Sequence, residues 1–279
     1  MPFLMNVQDQ LQKAETLMGQ GQADEARIIF EALCRMEHLT AHERGLALFG
    51  LGACFMVGEE YDAATSCLRE AWELLFNALG PKNLYTTRTM VLLSRTLLAV
   101  GDLEQGMDIG RGALQNLMEL YGPEDEQTAT AAFFLSSGAY QKNSLVEAES
   151  LVNLALHAWE KHYGHTSLPV ATCLDALGRL RMVCGEKREG LDFHRKAMEI
   201  KLEVLGDHEI TAASLGHVGM GLADLGEWRE AEELLGRALK NFSSIGTKAD
   251  AKGTAAFRER YAECKEMLFR KQHDEKHTP

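Results

Sequence analysis

The sequence predicts an all-α fold, a helical solenoid of six helix pairs closed by one C-terminal helix. Three observations carry that expectation. Proline is scarce, with five residues of which Pro2 and Pro279 stand at the ends, and helix interiors exclude proline because it lacks an N–H and its ring clashes with the preceding turn. Leu79-Gly80, Tyr121-Gly122, Tyr163-Gly164 and Leu205-Gly206 recur every 42 residues. Ala71, Ala113, Ala155 and Ala197 keep the same spacing in phase, and Ala238 follows after 41 residues.

Each unit carries a small residue on a first helix: Ala14, Gly52, Ser94, Ser136, Gly178 or Gly219. Twelve residues later comes a second small site: Ala26, Ala64, Gly106, Ala148, Gly190 or Ala231. Between them lies a turn, as in "GQ" at 21–22, "GD" at 101–102 and "GE" at 226–227. Antiparallel helices joined so tightly must approach closely where they cross, and small side chains permit it. First helices are expected near 5–19, 41–57, 84–100, 126–142, 167–184 and 208–225. Second helices are expected near 22–36, 60–78, 103–120, 145–162, 187–204 and 228–243. Residues 1–245 form the solenoid in this reading, 246–271 a capping helix over the last apolar face, and 272–279 a disordered tail.

A small residue, a turn, Ala, an apolar residue at +4 and Ala at +7, as in "LGEWREAEELLGRAL", resembles the tetratricopeptide repeat. The longer unit opening on "YG" or "LG" is similar to kinesin light chain repeats, as "LGDHEITAASL" and "YGHTSLPVATCL" illustrate. That resemblance implies a right-handed superhelix that binds protein segments. The first unit, with Phe30, Ala32, Leu33, Cys34, His38 and the run Gly50 to Cys54, looks like the front of class II type III secretion chaperones. Those are cytoplasmic tetratricopeptide proteins that cradle an extended segment of a translocator.

Composition removes several function classes. A formal charge of −12 disfavours non-specific binding to nucleic acid or an anionic membrane. No run of about 18 apolar residues offers a membrane span, and the start lacks a basic signal-peptide region, so a cytoplasmic location is expected. Six cysteines show no CxxC and read as small buried hydrophobes. Gly216, Gly219 and Gly221 lack the preceding strand that a phosphate-cradling loop requires, so they read as packing glycines, as does "FGLGAC" at 49–54. His157, His162 and His165 have gaps of five and three, not the i, i+4 spacing of a helical metal pair. No nucleophile stands in a recognisable setting, so no enzyme, metal or cofactor is expected. Arg181 falls where the repeat usually has an aromatic, and is expected to snorkel or find a carboxylate.

In the resembled family the first helices line a concave groove, which carries the binding expectation onto particular residues. The second unit supplies Phe49 and Met56, the third Arg88 and Arg95, and the fourth Phe133, Ser137 and Tyr140. The last two units add Asp175, Arg179, Met182, His217 and Met220. Aromatics and methionines suit the alternate side chains of an extended peptide, and the arginines suit carboxylates. The expected role is a chaperone or adaptor for a protein or peptide partner. A peptide-responsive regulator and a scaffold that self-assembles into a homo-oligomer are the alternatives.

Overall fold

Helix boundaries fall where the sequence supplies caps and breakers. The computed structural model describes residues 6–206, 208–245 and 251–277. Among them are thirteen helices and no strand. The pairs are α1 (Val7–Gly19) with α2 (Ala23–Cys34), α3 (Ala41–Val57) with α4 (Tyr61–Leu79), and α5 (Leu84–Val100) with α6 (Leu103–Tyr121). There follow α7 (Glu126–Gln141) and α8 (Leu145–Tyr163), α9 (Leu168–Val183) and α10 (Lys187–Leu205), α11 (Glu209–Asp224) and α12 (Trp228–Ile245), and then α13 (Ala251–His277). Thr40 and Glu43 close a reciprocal capping box at the start of α3, and Asn83, Asp102 and Asp125 cap α5, α6 and α7 through their side chains. Glycines with positive φ make most of the turns; at the matching sites Glu59 and Asn143 adopt φ of 59° and 57° instead. Two compact units, Met1–Leu154 and Ala155–Pro279, divide the chain within α8.

In the first unit the core begins with Leu11, Ala14, Ala26, Phe30 and Leu33 against Ala47, Leu51 and Cys54. Phe30 is 1% exposed because its ring lies over Gly50, where an added Cβ would stand 2.2 Å from a ring carbon. At Gly52 a Cβ would stand 2.6 Å from Leu68 Cγ, so both glycines of "FGLGAC" are contact surfaces. Ser94, in the corresponding column, donates from Oγ to the Gly106 carbonyl at 2.7 Å and locks α5 to α6. Between successive second helices run bonds that sequence reading missed: Arg27 to Glu60 at 2.6 Å, Arg69 to Gln105 at 3.1 Å, and Arg111 to Glu147 at 2.8 and 2.9 Å. Bonds this exposed are screened by water and add little to stability.

The second unit repeats the device. A Cβ on Gly190 would lie 2.8 Å from the Gly178 carbonyl oxygen, and one on Gly219 would lie 2.8 Å from Leu235 Cγ. Gly216 lies beneath Phe257 of α13, with only 2.4 Å for a Cβ. Phe257 and Cys264 are buried in one cluster with Leu215, Leu222 and Leu235, so α13 covers apolar surface of α11 and α12. Arg181 finds carboxylates, at 3.0 Å from Glu189 and 3.4 Å from Glu186. One expectation needs correction: α13 continues through His277, into the segment read as a disordered tail from residue 272. "QHDEKH" contains no glycine or proline to stop a helix, and the sequence supplies its proline only at 279. Residues 246–250, at the start of the expected capping segment, lie outside the described residues.

Close approach at a crossing predicts unequal costs for adding one methyl group. Gly190→Ala, which must displace a backbone carbonyl, is expected to lose about 1–3 kcal/mol in chemical denaturation. Gly19→Ala, with nothing within 4 Å of the new atom, is expected to change stability by no more than about 1 kcal/mol.

Candidate functional site

The second unit holds a hollow of about 600 Å³ faced by α9, α10 and α11. Five anticipated residues line it: Asp175, Arg179 and Met182 from α9, and His217 and Met220 from α11. They converge because positions three to four apart on one helix share a face. His194 and Lys201 of α10 also line it, and sequence reading missed both.

Beneath the apolar lining runs a polar chain. His194 Nδ1 lies 2.8 Å from Asp175 Oδ1, and Lys201 Nζ donates to Asp175 Oδ2 and, at 3.0 Å, to Ser214 Oγ. Gly178 makes room for it, since a Cβ there would stand 2.8 Å from His194 Nε2. Burial pushes the Asp175 carboxyl up, but hydrogen bonds from His194 and Lys201 prevail and hold it below its usual range. Ser214 thus belongs to the same hydrogen-bonded chain as Asp175 and Lys201, which ties α9, α10 and α11 together beneath the hollow. Packing around His217, followed by the proximity of His194, pushes that imidazole below its usual range although its side chain also meets solvent. The ring also meets Phe257 of α13 edge-on, with centroids 5.5 Å apart.

A smaller hollow of about 270 Å³ lies in the first unit between α3, α5 and α7. Met56, Arg95 and Ser137 line it as anticipated, joined by Tyr61, Leu98 and Phe134. Phe49, Arg88, Phe133 and Tyr140 stand outside both linings. Phe49 packs on the cluster of Ala64, Leu68, Leu93 and Leu97, a core role; Phe133 meets Phe134 edge-on; Arg88 and Tyr140 are exposed. Among the described residues no group of three or more His, Cys, Asp or Glu is placed to hold a metal ion. No helix there is long and apolar enough to cross a membrane.

Comparison with known proteins agrees with the architecture. Residues 182–244 match the tetratricopeptide repeat family model. The clustered mitochondria protein homolog of Danio rerio is 29% identical over 126 residues, covering 44% of this chain and 9% of that protein. The chain thus spans a small part of the length of the curated relative it matches. Among solved structures, the apo form of the quorum sensor NprR from B. thuringiensis superposes with a TM-score of 0.73 at 9% identity, covering 94% of this chain and 70% of that one. BtubC (BKLC) from P. vanneervenii gives 0.65 at 18% identity over 87% and 94%. A putative kinesin light chain repeat protein of Podosopora anserina gives 0.59 at 15% over 71% and 95%. The fold is that of a tetratricopeptide-type helical-repeat protein.

A carboxyl held below its ordinary value stabilises the fold above the unfolded pKa of about 3.9 and loses that contribution as pH falls through the folded value. Asp175→Asn is expected to cost about 2 kcal/mol at neutral pH, since it leaves Lys201 without its charged partner. Denaturation measured down the pH scale should show the gap between wild type and variant closing below about pH 4.

Proposed function

We propose that this chain is a non-catalytic interaction module that holds an extended segment of a partner protein against its first helices. The hollow of α9, α10 and α11 is the principal seat. The observation that carries this reading is the convergence of Met182 and Met220 with Arg179 around one concavity. Its two acids are already engaged, Asp175 by His194 and Lys201, and Asp224 by Arg260. Arg179 has no carboxylate partner among the described residues. Methionines accommodate varied apolar side chains, and an unpaired arginine adds orientation.

A chaperone or adaptor in the cytoplasm is the form of this activity we favour. The likeness of the first repeat to type III secretion chaperones supports a translocator as the segment's source. A regulatory reading has one observation in its favour: His217 lines the hollow and also meets Phe257 of α13. Occupancy of the hollow would then bear on the seat of α13.

Met220→Glu places a charge on the apolar lining without adding bulk to a helix crossing. In affinity co-purification from the native host, wild type is expected to recover a protein that the variant recovers at least tenfold less well, with equal thermal melting of the two. Recovery of the same proteins in the same amounts would contradict the reading, and a second copy of this chain as the only protein retained would replace it with self-assembly.

A further inference from the structure

We propose that the hollow between α3, α5 and α7 is a carboxylate site, in which Arg95 receives an aspartate or glutamate side chain of a bound polypeptide. The proposal rests on the interaction role argued above and adds a site and a chemistry in the other unit. Of the other arginines of the first unit, Arg27 pairs with Glu60 at 2.6 Å, Arg44 with Glu70 at 3.6 Å and Arg111 with Glu147 at 2.8 Å, while Arg69 bonds to Gln105 and Arg88 is exposed. Arg95 is half-buried and has no carboxylate partner among the described residues, in a chain with 41 acidic and 29 basic side chains. Burial pushes its guanidinium below the usual arginine range, and the neighbouring Tyr61 only partly offsets that. A desolvated, unpaired cation is a costly arrangement that an incoming anion relieves.

The guanidinium is also held in place. Its central carbon lies 3.7 Å from the centroid of the Phe134 ring, a cation–π contact that positions the group in the hollow, and a carboxylate is the partner a guanidinium can bind through two N–H groups at once. Ser137 donates its hydroxyl proton to the Phe134 carbonyl at 3.0 Å, and Arg95 is the one cation of the lining among the described residues, beside the neutral donors Tyr61 and Gln141. One positive charge, with Tyr61 and Gln141 as neutral polar neighbours and Met56 and Leu98 as apolar ones, matches a monoanion better than a phosphate dianion, whose second charge would find no cation among the described residues of the lining. At about 270 Å³ the space lies below the usual range of small-molecule sites and suits one side chain.

The test follows the Arg95 Nε–H resonance of the ¹⁵N-labelled full chain, assigned with Arg95→Lys. Titrants are N-acetylglutamate α-amide, N-acetylglutamine α-amide and inorganic phosphate. The glutamate compound is expected to shift the resonance saturably, at a concentration at least tenfold lower than the glutamine compound. Phe134→Leu is expected to weaken that response several-fold while the other arginine resonances stay in place. A resonance that does not move, or moves alike with both amino-acid compounds, would overturn the proposal. Saturation by phosphate below the glutamate concentration would overturn it in favour of a phosphorylated ligand. None of these outcomes depends on the partner recovered through the α9–α11 hollow, so the two readings fail separately.

Discussion

Everything in this molecule depends on how near two antiparallel helices come at their crossing. Where the crossing residue is glycine, a neighbour occupies the space a side chain would need: Leu68 over Gly52, His194 over Gly178 and Leu235 over Gly219. The stabilisation is non-directional apolar burial, with Phe30, Leu68, Leu215 and Leu235 almost wholly removed from water. A helical glycine costs about 1 kcal/mol relative to alanine. The Gly52 and Gly219 crossings sustain that cost because the burial of a leucine against each glycine outweighs it, while Gly178 makes room for His194. The glycines that resemble a phosphate loop on paper are therefore surfaces for side chains.

The same geometry leaves a hollow faced by first helices in each unit. Each holds methionine and arginine, but their electrostatics differ. In the second unit Asp175 is saturated by His194 and Lys201, which fixes a polar floor that also takes in Ser214. In the first unit Arg95 lies on an aromatic ring with no internal carboxylate among the described residues. Arg179 of the second hollow also lacks a carboxylate partner among the described residues, but it is exposed to water, whereas the half-buried Arg95 is the cation that gains most from a charge supplied from outside.

Helix positions are legible in the sequence because two periods agree, the alanine column and the glycine turns, and most of the expected boundaries lie within two residues of those observed. The grouping of Asp175, Arg179 and Met182 is legible too, since helical spacing puts them on one face. His194 and Lys201 escape notice because they sit on a second helix, which the repeat pattern assigns to the outer wall. The pairing of Lys201 with Asp175, 26 residues away, leaves no mark in local spacing. Phe134 rather than Phe133 lines the smaller hollow, a one-residue difference that rotates a helix face by about 100°. The end of α13 is misjudged from sequence because a terminal position suggests disorder where no residue breaks the helix.

The central claim is steric, and a double-mutant cycle at Gly52 and Leu68 tests it most directly. Gly52→Ala alone forces a methyl group into the Leu68 side chain, while Leu68→Ala alone leaves a void. Chemical denaturation of the four proteins should show the double variant more stable than the sum of the single effects by about 1 kcal/mol or more. Strict additivity would mean that the crossing has room to spare, and that close approach is not what organises this fold.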